Sequence, residues 1–206
     1  MICSRVGIDI KKHIISLKKE VFRKSIHVCT AFVPVLLHFY RIPTIILLSA
    51  LLLFYIVSEF LRLKGKSIPL VSTITEAAAR KRDENHFVYG PVTLVVGIIF
   101  SAVFFQEKFA TVGILSLAFG DGLASLAGKT FGKIEVPLTG GKTAAGSLTC
   151  FNAIFFTSFF ILNDTLFSLL LAFVGTIIEG LPLKDFDNIF IPISISFLAQ
   201  ILSPHI

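Results

Sequence analysis

Asp121 is where this sequence first suggests chemistry. It stands between Gly120 and Gly122 in an apolar run. The chain beyond it, through Ser147, carries Lys129, Lys133 and Lys142 among Gly128, Gly132, Gly140, Gly141 and Gly146. Insertion scales put a carboxylate at the centre of an apolar helix at a cost of about 2.5–3.5 kcal/mol, so such an acid usually marks a site. Glycine lets backbone N–H groups close on an anion, and lysine brings charge. Mg²⁺ held against substrate phosphates needs just one or two carboxylates, which fits Asp121. These residues point to a membrane protein that handles a phosphorylated small molecule. The structural alternative is a simple pairing of Asp121 with a lysine.

Two further clusters join it. Arg23, Lys24 and His27, in the run RKSIH, put two cations and an imidazole where the chain enters an apolar segment. Lys24 and His27 are one i,i+3 step apart on a helix. They suit a phosphate, or else are flanking charges that snorkel to the interface. Glu179, Asp185, Asp187 and Asn188 sit close together in EGLPLKDFDN, a second source of carboxylates for a divalent ion or a capped polar turn. Gly140-Gly141-Lys142-Thr143 is not a P-loop, because GxxxxGK[ST] needs glycine where Val136 stands and no βαβ pattern surrounds it. It remains a glycine–lysine turn, with Thr143 and Ser147 as phosphate donors or as caps of the helix that follows.

The elements that must position these groups are apolar. The 206 residues are 54% hydrophobic and 16% charged, against about 25% charged in soluble domains. Spans are predicted near 28–40, 44–61, 88–105, 109–127, 144–162, 165–178 and 189–202. The fold class is therefore an all-α integral membrane protein, a polytopic bundle of about seven transmembrane helices. The first span is short enough that a re-entrant or interfacial segment stays open. If the N-terminus is cytoplasmic, only Arg41 and Lys108 of the 19 Lys and Arg fall on the opposite side. That is the positive-inside pattern, with the Gly/Lys loop facing the cytoplasm. The net charge of +6 follows from this topology, and nucleic-acid binding is not expected.

Residues 8–27 are predicted to form an amphipathic interfacial helix, with Ile10, Ile14, Leu17 and Val21 on one stripe. This gives an N-terminal segment 1–27 and a transmembrane catalytic domain 28–206. No signal peptide is expected, since charges run through Lys24 before any apolar run. A short helix is expected at 75–82, and Glu59 is expected to pair with Arg62 or Lys64 at the interface. Ser116, Gly120, Ala124 and Gly128 recur every fourth residue, a close-packing face from which Asp121 points away. Cys3, Cys29 and Cys150 form no CxxC pair and read as reduced or buried residues.

Taken together, RKSIH, FGDGLASLAGKTFGK, GGKTAAGSL and EGLPLKDFDN resemble the CTP-dependent lipid kinases, the family of dolichol, phytol and farnesol kinases and the CTP-using diacylglycerol kinase. The resemblance runs from about Arg23 to Pro192. It implies transfer of the γ-phosphate of CTP to the hydroxyl of a membrane lipid, with Mg²⁺. By the same resemblance Asp121, with Glu179 and Asp187, would hold Mg²⁺. Lys129, Lys133 and Lys142 would bind the triphosphate with the glycines Gly128, Gly132, Gly140, Gly141 and Gly146 and with Thr143 and Ser147. Arg23, Lys24 and His27 would border that site and Asn188 would touch the nucleotide. His27 or a carboxylate would serve as base.

One position departs from the family pattern KTxEG or KSxEG, since Ala145 stands where the acid is expected. Glu135 and Glu179 are the acids available to replace it. A related function is the phosphatidate cytidylyltransferase reaction, although its HGG-x-x-DR-x-D pattern is absent and KDFDN is only a partial echo. A transporter or other non-catalytic membrane protein, with Asp121 as an ion-pathway residue, is the alternative of another class. Against it, the cations gather in a loop on one side.

Overall fold

The computed structural model describes residues 17–66, 68–78, 86–137 and 139–203. Helix α1 (residues 17–29) passes through a 3₁₀ turn, Thr30–Phe32, into α2 (Val33–Leu63). There follow α3 (Pro69–Ala78), α4 (Gly90–Phe104), α5 (Glu107–Leu115), a π turn (Ser116–Asp121) and α6 (Gly122–Phe131). The chain closes with α7 (Ala144–Leu162), α8 (Thr165–Gly180) and α9 (Asp187–Leu202). Among the described residues the only extended pairing is an isolated antiparallel bridge, Glu135 to Thr143. The fold class is all-helical, as expected.

Helix α2 is two helices. Pro43 has no N–H for the Phe39 carbonyl, and Tyr40 leaves helical geometry at φ −141°, ψ 58°. The contacts on either side show that the chain turns back there. His27 Nδ1 lies 3.1 Å from Asp121, while His38 bonds Glu107 at 2.6 Å, and these two acids bound the opposite ends of α5 and the π turn. Arg41 Nη2 donates to Ala102 O at the Glu107 end, and Glu59 accepts from Val88 N at the other end. Residues 17–40 therefore run from one end of the bundle to the other and do not double back within it. Arg41, one of the two cations expected on the far side, lies at the end opposite Lys24 and Lys142.

By length and composition, Leu17–Leu63, Glu107–Phe131 and Ala144–Leu162 are long and apolar enough to cross a membrane, and α4, α8 and α9 are shorter apolar helices. The surface is correspondingly greasy, with Phe160 75% and Leu166 80% exposed. Helix α9 runs through the core, where Ile191 and Ile195 are buried against Ile98 of α4, Val112 of α5 and Leu171 of α8. Pro192 cannot donate to the Asn188 carbonyl. That carbonyl lies against Gly97 of α4, where an added Cβ would come within 2.3 Å of it. The missing side chain lets α4 close on α9.

Two expectations shift. Of the predicted helix 8–27, residues 8–16 lie outside the described residues. The rest turns Glu20, Lys24 and His27 inward and leaves Val21 47% exposed, because those polar groups find partners inside the bundle. The boundary at 27/28 falls within one continuous helix. The helix expected at 75–82 is Pro69–Ala78, with 79–82 outside the described residues. Glu59 is fully buried and pairs with Arg62, as expected, through two hydrogen bonds.

Candidate active site

The π turn at Ser116–Asp121 sets the centre of the site, and such turns often occur at functional positions. Across it, Gly120 packs on Ile154 and Cys150 of α7, while Asp121 faces α1, as the small-residue stripe implied. Asp121 is 3% exposed. Its Oδ2 accepts from the Lys24 ammonium and stands 3.1 Å from His27 Nδ1. Gly122, the next residue, brings α6 against Val28 of α1.

A cavity of about 460 Å³ opens beside Asp121, between α6, the Gly/Lys turn and the end of α8. Gly140 and Gly141 form its rim at φ +71° and +95°, a left-handed backbone that favours glycine. The Val136 and Lys142 backbones bond across this turn, which brings Lys142 to the cavity wall. Thr143 caps α7 through Gly146 N. The positive end of α7 therefore faces the cavity, with Thr143, Gly146 and Ser147 on its wall. Lys142 donates to the Glu179 carbonyl, lies 3.0 Å from Glu179 Oε1 and is 3.8 Å from Asp187 Oδ2. Lys129 reaches Glu20 of α1 at 2.6 Å.

A smaller cavity, about 60 Å³, adjoins the first and shares Asp121, Lys184 and Asp187 with it. Arg23, Lys24, His27 and Asn188 line this one. The Asn188 amide donates to Thr93 Oγ1 at 3.1 Å and to Gly90 O, so its N–H groups tie α9 to α4. Burial, and then the Asp121 charge, push the Asp187 carboxyl up from 3.8 to about 7, against the pull of Lys24 and Lys142.

Of the residues singled out in the sequence, Asp121, Gly128, Lys129, Gly140, Gly141, Lys142, Thr143, Gly146, Ser147, Glu179 and Asp187 line the larger cavity. Gly132 and Lys133 line neither. Gly132 is a packing residue, since a Cβ there would sit 2.2 Å from the Gly128 carbonyl and 2.4 Å from Thr143 Oγ1. Lys133 is exposed. Of the two acids that could replace the one missing at Ala145, Glu179 reaches the cavity and Glu135 does not.

Sequence reasoning missed Glu20 and Lys184. Glu20, Lys24 and His27 follow i, i+4, i+7 spacing, which places all three on one helix face. Lys184 lines both cavities and holds φ +59°, strained for a residue with a side chain. The sequence carried no signal for that backbone state.

Holding the expected Mg²⁺ would fall to carboxylate oxygens, the hard donors that this ion prefers. Among the described residues no three His, Cys, Asp or Glu side chains are grouped to hold a metal by themselves. Glu179 Oε2, however, is buried without a hydrogen-bond partner, and Glu179 and Asp187 share the Lys142 cation. That set fits an ion that takes most of its ligands from phosphate and water.

Comparison with known proteins places the chain beside lipid kinases. It is 32% identical over 160 residues to phytol kinase 1, chloroplastic, of Arabidopsis thaliana, covering 68% of this chain and 52% of the relative. It is 25% identical over 138 residues to CTP-dependent diacylglycerol kinase 1 of Saccharomyces cerevisiae, 65% of this chain and 47% of that one. Farnesol kinase, chloroplastic, of Arabidopsis thaliana is 26% identical over 129 residues, 55% and 42% of the two chains. The chain spans about half the length of the curated relatives it matches. No protein-family model and no solved structure matches it. Its homologues are thus the phytol, farnesol and CTP-dependent diacylglycerol kinases, the CTP-dependent lipid kinase family whose motifs it resembles.

Proposed function

We propose that the chain is a lipid kinase that moves the γ-phosphate of CTP to the hydroxyl of a membrane lipid alcohol. The observation that carries this reading is a pair of joined cavities with different linings, meeting at Asp121 and Asp187. The larger has lysines, glycines and a helix N-terminus, which suit a triphosphate. Asp121, Glu179 and Asp187 are the residues that would hold Mg²⁺, which when bound neutralises phosphate charge and orients the triphosphate.

Lys142 and Lys129 would bind phosphate oxygens, with Gly140, Gly141 and the α7 N-terminus offering N–H groups. The alcohol oxygen bonds to the γ-phosphorus, the bond from that phosphorus to the β–γ bridging oxygen breaks, and CDP leaves. His27 takes the hydroxyl proton, and the Asp121 carboxylate beside it stabilises the imidazolium. Lys24 and Lys184 would offset charge on the moving phosphoryl group. The site end carries Arg23, Lys24, Arg62, Lys129, Lys142 and Lys184, which supports a cytoplasmic orientation for it.

The test is product analysis with the chain in membranes, Mg²⁺, γ-labelled CTP or ATP, and a panel of lipid alcohols. Label in a lipid phosphate from CTP is the expected result. Labelled pyrophosphate formed when phosphatidate is supplied would replace the proposal with cytidylyltransferase chemistry. No transfer at all would leave the non-catalytic reading in its place.

A further inference from the structure

We propose that Lys184, in the loop between α8 and α9, is the residue by which the site tells a nucleoside triphosphate from the diphosphate left after transfer, its ammonium binding the terminal phosphate where the two cavities meet. That the ligand is a nucleotide rests on the kinase reading above.

Five cations line the cavities, and four of them are already paired. Arg23 and Lys129 hold Glu20, Lys24 holds Asp121, and Lys142 holds Glu179. Among the described residues Lys184 is the lining cation left without an acid, and it is exposed. A bound anion must displace a carboxylate to reach any of the other four, whereas Lys184 offers its charge without that exchange. It also stands at the junction, lining both cavities with Asp121 and Asp187. His27, which takes the hydroxyl proton in the proposed reaction, lies 3.1 Å from that same Asp121. The phosphate that reacts is the terminal one, so it comes to rest there.

The backbone is a second, independent observation. Lys184 holds φ +59° as the first central residue of a turn closed by Phe186 N donating to Leu183 O at 3.1 Å. Glycine is the residue that takes a positive φ in a turn without strain. The loop is fixed on both sides of this position. Pro182 rests on Gly140, where an added Cβ would stand 3.4 Å from the Pro182 Cβ. The Asn188 amide is bonded to Thr93 and Gly90 of α4. Such strain persists only where the surroundings over-determine it, and it clusters at ligand clamps. Here it carries a side chain that no ion pair within the bundle requires.

A triphosphate and a diphosphate differ at this end by one phosphoryl group and its charge. The Gly140–Gly141 turn, Lys142 and the α7 N-terminus can hold the two phosphates common to both. An ammonium that donates to the γ-phosphate oxygens is bonded to the triphosphate alone, so its loss weakens CTP and spares CDP. The same contact vanishes from the nucleotide once the phosphoryl group has moved, which lets the diphosphate go.

The experiment uses the full chain in phosphatidylcholine nanodiscs with Mg²⁺ and no acceptor. It reads dissociation constants for CTP and for CDP, alongside thermal denaturation. The wild type should bind CTP more tightly than CDP. Lys184→Gly and Lys184→Asn remove the charge and accept the backbone, so both should denature at or above the wild-type temperature. Each should weaken CTP about 10-fold or more, as loss of a hydrogen bond to a charged group does, and leave CDP unchanged. Lys184→Arg should restore most of the preference for CTP. Wild-type CTP affinity in both folded variants, or equal weakening of CTP and CDP, would overturn the assignment. So would a wild type that binds the two alike or binds neither. Denaturation of both variants well below the wild type would make Lys184 a structural residue instead. Transfer to lipid alcohols is measured separately on the same sample. Transfer, with the CTP preference intact in both variants, keeps the kinase reading and removes Lys184 from it. A preference lost in the variants, with no transfer by the wild type to any alcohol, upholds the terminal-phosphate contact and removes the kinase reading.

Discussion

Lys142 and Glu179 are joined twice, the ammonium donating to the Glu179 backbone carbonyl and lying 3.0 Å from its Oε1. The same ammonium is 3.8 Å from Asp187. Lys24 is held by Asp121 and Lys129 by Glu20 in like fashion. Each of these lysines is therefore neutralised by an acid that also faces a cavity. To bind a phosphate, a lysine must leave its acid, and that acid then needs another cation.

This exchange couples nucleotide to metal. CTP should bind about 10-fold or more tightly with Mg²⁺ than with chelator, within the usual range of coupling between two ligands. Glu179→Gln should shrink that ratio, because the acid that Lys142 releases is no longer there. Equilibrium binding in detergent, with and without Mg²⁺, reads both. An equal CTP affinity in the two conditions would break the link between the lysines and the carboxylates.

Removing the lysine tests the phosphate role directly. A hydrogen bond to a charged group contributes about 1.5–3 kcal/mol. Lys142→Ala should thus raise the CTP KM or lower kcat by about 10- to 100-fold. Steady-state kinetics with an unchanged lipid KM would locate the loss at the nucleotide. Wild-type rates would reduce the Gly/Lys turn to a structural element.

Asp121→Asn is expected to abolish turnover, and its effect on folding follows from burial. Lys24 is 3% exposed and loses its counter-charge. Breaking a buried pair from one side costs about 3–5 kcal/mol. Adding Lys24→Met should recover most of that stability without recovering activity. Denaturation in detergent alongside kinetics separates the two effects, and a double variant that turns over would remove Asp121 from the mechanism.

The amount of this site legible in the sequence depended on how each residue signals. Asp121 stood out because a carboxylate in an apolar helix has a cost that composition makes visible. Lys142 and the paired glycines were legible because the positive φ at Gly140 and Gly141 is one that few other residues adopt. The apolar helices followed from hydropathy, and the chain reversal at Tyr40 falls at the break between the first two predicted spans. Glu20 was legible in principle, one helix face with Lys24 and His27, but the nearby lysines made that helix look like a lipid anchor. Gly132 and Lys133 sat in the right stretch and still fall outside both cavities, because linear proximity does not say where a loop turns. Nothing local marked Lys184, whose position depends on how the α8–α9 loop closes over the bundle. The pairing of each lysine with an acid from another element was equally out of reach, since it joins residues as far apart as Lys24 and Asp121.

Asp187 gives the site a pH dependence with two opposite signs. Its carboxyl is raised from 3.8 to about 7, mainly by burial and then by the Asp121 charge. Between those values the folded chain holds a proton that the unfolded chain has released. More protons bound in the folded state means that stability falls as pH rises through that window and levels off above it. Asp187→Asn should remove this part of the slope, as read by thermal denaturation in one detergent between about pH 4.5 and 7.5. Binding should run the other way. A divalent cation needs the ionised carboxylate, so Mg²⁺-dependent CTP binding should strengthen as pH approaches and passes about 7. A variant with the wild-type stability slope would show that another group titrates there. A flat binding profile in the wild type would take Asp187 out of the metal's reach and leave Glu179 and Asp121 to hold it.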